Sequence, residues 1–216
     1  MSKKSMITVL SVSALLLCVL AVLVCRGDLQ PVDSQIANAV QSLENSVLTG
    51  IMKVVSVLGD WYVYIPFAVL LLIIPKIRFK IGVPVSIVLA VSAGLNWLMK
   101  FLFAIPRPDA HRLIAASGYG FPSGHAMIGT AFVGTCACLF IKHSIKLKAK
   151  RAIGALAVIF LIFEGFSRIY LGVHNPTDVI GGYLAGVIIC SITLLILQNE
   201  KNNQMCYNTC NRIETG

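Results

Sequence analysis

Apolar runs of about twenty residues recur along this chain, near 6–25, 58–75, 81–103, 123–142, 152–171 and 176–197, each bounded by charged or turn-forming residues. A helix of roughly 20 apolar residues crosses a bilayer, where no open strand or loop can satisfy its own backbone. The pattern predicts an all-α fold, a polytopic membrane bundle with six transmembrane helices. With 57% hydrophobic and 12% charged residues, the chain is too apolar for a soluble domain. The first run, Met6 to Cys25, is long for a signal core and lacks a small-x-small cleavage site. Val24 also excludes lipoprotein processing at Cys25, so the run is read as a retained helix.

Between the first and second runs, Asp28 to Gly59 is mixed in character. Pro31 and Asp33 suggest a helix start, and Ile36, Val40, Leu43, Val47 and Ile51 recur at helical spacing. This predicts an external amphipathic helix at the bilayer surface or packed between spans. Trp61, Tyr62 and Tyr64 are placed as interfacial anchors of the second span. Residues 1–198 form one membrane domain in this reading, and the polar segment 199–216 is a mobile cytoplasmic tail.

The formal charge of +9 raises the question of nucleic acid, but the placement of the charges argues against it. Lys3, Lys4, Lys76, Arg78, Lys80, Lys142, Lys146, Lys148, Lys150, Arg151, Lys201 and Arg212 all fall on one side of a six-span layout, the side holding both termini. Cytoplasmic loops carry such an excess of Lys and Arg, so this side is the cytoplasm of a multi-pass cell-membrane protein. Cys18, Cys25, Cys136, Cys138 and Cys190 lie in apolar runs and read as small hydrophobes, while Cys206 and Cys210 read as reduced thiols of the tail. No disulfide framework, metal site or cofactor is implied.

Three clusters of chemically active residues share the opposite, outward edge. Lys100 nears the end of the third span, and Arg107 stands between Pro106 and Pro108, which end that helix. Ser123 and Gly124 begin the fourth span at a helix N-terminus suited to an anion, with His125 beside it. Arg168 ends the fifth span, Gly172-Val-His174 turns the chain, Asn175 and Pro176 start the sixth helix, and Asp178 lies in its first turn. From there Asp178 can reach a ring nitrogen of His174 and leave the other as a nucleophile, or it can serve as a cap alone. Charge at membrane depth is costly and is by default functional.

In this order, K-x6-R-P from Lys100 to Pro108, P-S-G-H from Pro122 to His125 and S-R-x5-H-x3-D from Ser167 to Asp178 resemble the signature of the type-2 phosphatidic acid phosphatase superfamily. The resemblance runs from the third span to the sixth. It implies a membrane phosphatase in which His174 is the nucleophile, Asp178 orients it and His125 is the general acid. Lys100, Arg107, Ser123, Gly124 and Arg168 would then cradle the phosphate, with no metal and no cofactor. Such transfer needs mainly positioning and charge neutralisation, which three cations and a helix N-terminus can supply.

In a compact six-span protein with a basic cytoplasmic face, the resemblance points to a bacterial enzyme acting on undecaprenyl diphosphate at the outer leaflet. Phosphatidylglycerophosphate or phosphatidate is the alternative substrate. A transporter would need no paired histidines with an orienting aspartate, whereas a phosphotransferase would share the first half of the mechanism. Outside the signature, Glu164 can pair with Arg168 one turn on, or with a group elsewhere in the bundle. His111 and Arg112 are read as solvated loop residues in preference to headgroup contacts.

Overall fold

The computed structural model describes residues 2–108, 111–143 and 147–214, with side chains described as far as 199. The described residues form eight α-helices: α1 (Lys3–Arg26), α2 (Gln30–Gln41), α3 (Ser46–Leu58), α4 (Trp61–Ile73), α5 (Val83–Phe103), α6 (Gly124–His143), α7 (Leu147–Tyr170) and α8 (Pro176–Glu214). A π-helical turn, Arg78–Gly82, leads into α5. Helices α1, α5, α6, α7 and the apolar part of α8 are each long and apolar enough to span a membrane; α3 and α4 qualify only together, across a 44° bend. With that pair counted as one broken span, the total is six.

Local chemistry explains the breaks. Gly27, left-handed at φ 76°, closes α1, and Pro31 opens α2 within its first two positions. Asn45 Oδ1 accepts from the Leu48 amide and caps α3. Gly59 and Asp60 interrupt the apolar run between α3 and α4. At 13 residues, α4 is about 20 Å long, short of the roughly 30 Å hydrocarbon core.

This corrects the expectation for residues 28–75. Two helices stand where one amphipathic helix was expected, and the second is half of the broken span. Ile36, Leu43, Val47 and Ile51 of the apolar stripe are exposed, while Asp33, Met52 and Ser56 turn inward. Trp61 and Tyr62 are exposed as interfacial anchors should be, but Tyr64 is buried and donates to Glu164 Oε1 at 3.1 Å. The fifth span begins earlier than expected, in the basic connection at Leu147. Along the polar tail the backbone of α8 continues to Glu214.

Helices α6 and α8 form the centre of the bundle and meet through small residues. A Cβ added at Gly182 would lie 2.7 Å from the Ser123 carbonyl oxygen and from Ala126 Cβ; one at Gly186 would lie 2.7 Å from the Met127 carbonyl oxygen. Gly182 and Gly186 are one turn apart, the small-xxx-small pattern that lets membrane helices approach closely. One core cluster fills the space between α4, α5 and α6, around Tyr64, Leu71, Val85 and Phe132. Another, Met52 with Tyr170, Leu171 and Val173, docks α3 on the end of α7. Tyr170 Oη shares a hydrogen bond with Thr49 Oγ1 at 2.9 Å in the same contact.

Candidate active site

The end of the bundle at which α5 and α7 finish and α6 and α8 begin gathers all eight residues singled out in the sequence. The loop after α5 folds back over it: the Gly120 amide donates to the Ile105 carbonyl at 2.7 Å, and the Leu113 amide to the Leu171 carbonyl at 3.0 Å. Gly172, at φ 71°, closes α7, so that the Val173 and His174 amides both return to the Arg168 carbonyl. That turn delivers His174 to the interior, where it is 2% exposed.

The hydrogen bonds fix the state of His174. Arg107 donates through Nη1 to His174 Nε2 at 3.0 Å, and guanidinium nitrogens only donate, so Nε2 holds a lone pair. The ring proton is therefore on Nδ1, 3.3 Å from Asp178 Oδ2. The same Oδ2 accepts the Asn175 amide at 2.9 Å, half of a capping box at the start of α8. Orienting the imidazole and capping the helix are thus one arrangement. Burial, reinforced by the charges of Arg107, Lys100 and Arg168, pushes the pKa of His174 well below the ordinary histidine value.

The three expected cations are held by neutral oxygens. Lys100 Nζ donates to the carbonyls of Tyr119 at 2.5 Å and Gly120 at 3.2 Å. Arg107 donates to the carbonyls of Ser117, Gly118 and Val173 at 2.9–3.2 Å. Arg168 Nη1 donates to Ser56 Oγ. Charge held this way remains available to an anion. Ser123 Oγ and Arg168 Nε are buried with no hydrogen-bond partner among the described residues. Ser123 begins α6 as expected, its carbonyl accepting from the Met127 amide at 3.0 Å, but its hydroxyl does not cap the helix.

His125 looks the other way, toward the break between α3 and α4. Its Nε2 lies 3.2 Å from the Ser56 carbonyl and 3.3 Å from Asp60 Oδ1, and since both accept, Nε2 carries a proton. Glu164 does not pair with Arg168: it is fully buried, bonded to Tyr64, and packed where side chains at Gly59 and Gly129 would stand. His111 is an exposed loop residue, as expected, with Nε2 2.5 Å from Glu44 Oε2; Arg112 donates to the Pro108 carbonyl at 2.6 Å.

Four residues of this region carry no sequence motif. Ser56 and Asp60 come from the broken span, where an acid flanked by apolar runs was the available signal. Asn96, one turn before Lys100, donates to the Pro122 carbonyl at 3.2 Å and supports the start of α6. Asp33 of α2 caps α8 from outside, accepting the Thr177 amide at 2.9 Å and its hydroxyl at 2.6 Å. Burial raises the Asp33 carboxyl above the ordinary aspartate value, with the two Thr177 bonds opposing. Nothing in a linear reading links residues 33 and 177.

A helical membrane bundle that collects cations and histidines around a buried, oriented imidazole has the layout of a membrane lipid phosphatase. The sequence model of the PAP2 superfamily matches residues 81–202, more than half of the chain, and the protein belongs to that family. Phosphatidylglycerophosphatase B of Bacillus subtilis is 29% identical over 79% of this chain and 86% of its own length. Undecaprenyl-diphosphatase of Sulfolobus acidocaldarius is 33% identical over 70% of this chain and 71% of its own. The crystal structure of a PAP2-type phosphatidylglycerolphosphate phosphatase from Bacillus subtilis superposes with a TM-score of 0.79 at 27% identity, covering 89% of this chain and 96% of that one.

Proposed function

We propose that this enzyme removes the terminal phosphate from a lipid diphosphate at the outer leaflet through a phosphohistidine intermediate, with undecaprenyl diphosphate as its preferred substrate. The observation that carries the mechanism is the lone pair on His174 Nε2, fixed by the Nδ1 bond to Asp178 and faced by Arg107. That nitrogen attacks phosphorus while the bond to the leaving oxygen breaks and His125 gives that oxygen a proton. Lys100, Arg107, Arg168, the Ser123 hydroxyl and the Gly124 amide take the phosphate oxygens, Lys100 and Arg107 giving up carbonyl partners and Arg168 the Ser56 hydroxyl for charged ones. Water then attacks the phosphohistidine, His125 takes its proton, and inorganic phosphate leaves. The basic loops and both termini lie in the cytoplasm, so the site faces outward.

The undecaprenyl reading is supported by the relatives that carry that activity in their names, among them the one from Sulfolobus acidocaldarius. A second reading, phosphatidylglycerophosphate, is favoured by the relative and the solved structure from Bacillus subtilis. Phosphate release by the purified protein from undecaprenyl diphosphate, phosphatidylglycerophosphate and phosphatidate separates them. The highest kcat/KM is expected on the first, and a higher value on either of the others would overturn the preference. Rapid-quench labelling tests the mechanism: wild type should form an acid-labile phosphoenzyme and His174→Ala none. Labelling that persists in His174→Ala would place the nucleophile elsewhere.

A further inference from the structure

Asp60 occupies the N-cap position of α4, yet its carboxylate makes no capping bond to that helix. An aspartate at this position ordinarily accepts an amide of the first turn, worth about 1 kcal/mol. Here Oδ1 turns to His125 Nε2 at 3.3 Å, and Oδ2 accepts from the Tyr62 hydroxyl at 2.8 Å. The same break brings in Ser56, whose carbonyl faces His125 Nε2 at 3.2 Å and whose hydroxyl accepts from Arg168. One bent segment therefore touches both the acid histidine and a phosphate-binding arginine. It lies outside residues 81–202, the stretch that the family model covers.

We propose that Asp60, together with the Ser56 carbonyl, is the positioning residue for His125: the two acceptors hold the Nε2 proton and leave Nδ1 to serve the leaving oxygen. This rests on the reading of His125 as general acid. In the protonated ring both nitrogens carry hydrogen, and with Nε2–H fixed between two oxygens the Nδ1 proton is the one free to move. It passes to the leaving oxygen as the phosphorus–oxygen bond breaks and the bond to His174 forms. Asp60 stays ionised throughout and compensates the positive charge of the ring before transfer. The outward end thus holds two imidazole–carboxylate pairs, His174 with Asp178 and His125 with Asp60, one for each proton state the reaction requires.

The test uses the full-length protein in detergent with two substrates, phosphatidate, which expels an alkoxide, and p-nitrophenyl phosphate, which expels a stable phenolate. If His125 is the acid, His125→Ala should lose about 10²–10⁴-fold in kcat on phosphatidate and far less on the aryl phosphate. Asp60→Asn should show the same asymmetry at a smaller size, about 10–100-fold on phosphatidate, and Asp60→Glu should recover part of it. The double variant Asp60→Asn with His125→Ala should be no slower than His125→Ala alone, because a residue acting through another adds nothing once that one is gone. Equal losses of Asp60→Asn on both substrates, or losses that multiply in the double variant, would make Asp60 a structural residue and overturn the proposal while leaving His125 as the acid. A His125→Ala variant without the asymmetry would overturn both. Elution and thermal unfolding of Asp60→Asn identify a folding defect. Asp60→Glu is then compared with wild type on the two substrates: a loss confined to phosphatidate supports the positioning role, and an equal loss on both overturns it.

Discussion

At His174 the protein holds a neutral imidazole in a place that disfavours its charged form. Above the ordinary histidine value of about 6.5, neither the folded nor the unfolded chain protonates this ring, and there is no cost. Below it the unfolded chain binds a proton that buried His174 refuses, so stability falls as pH drops from there toward the lowered folded value. Thermal unfolding should therefore lose more between pH 7 and pH 5 in wild type than in His174→Gln, which has no such proton to bind. Equal losses would mean that His174 is accessible to protons in the folded protein. The signature residues were legible singly, because ionisable groups at membrane depth are rare enough to stand out. Their proton states were not, since these depend on which neighbour can donate and which can only accept.

Two elements set the distance between the histidines. His125 rides on α6, and Asp178, which holds His174, rides on α8; the Ser123 amide donates to the Asp178 carbonyl at 2.9 Å and ties the two starts together. Gly182 keeps that approach open. In Gly182→Ala the new methyl would meet the Ser123 carbonyl oxygen and Ala126 Cβ at 2.7 Å, and neither is the end of a flexible side chain. The helices must separate, with an expected loss of about 1–3 kcal/mol in stability and at least tenfold in kcat. Unfolding and phosphate release measured on the same preparation check both; an unchanged rate would show that the α6–α8 spacing is not what places His125 against His174. The Gly182-xxx-Gly186 spacing is visible in the sequence, but which helix it meets is not.

For the whole molecule the decisive property is sidedness. The three site clusters fall at one end of the bundle and the basic connections at the other, which predicts a site reached from outside the cell. With native cysteines removed, a cysteine in place of Ser117 should react in intact cells with an impermeant thiol reagent, and one in place of Lys76 should not. The reverse pattern would turn the enzyme over in the membrane and place its substrate in the inner leaflet.

The sequence by itself determined the bundle, its spans from the third to the sixth, the sidedness expected of it and the eight residues that meet at one end of it. Each of these follows from local quantities: run length against bilayer thickness, the cost of charge in lipid, and motifs confined to a dozen residues. Tertiary structure decided what depends on contacts between distant segments. It broke the second span at Gly59 and Asp60, turned Asp60 toward His125 instead of the amides of its own helix, gave Glu164 to Tyr64 and not to Arg168, and lent Asp33 to the start of α8. In the last three cases a polar group, half-buried at Asp60 and buried at Glu164 and Asp33, had more than one chemically acceptable partner along the chain, and only the packing of the helices settled which one it met.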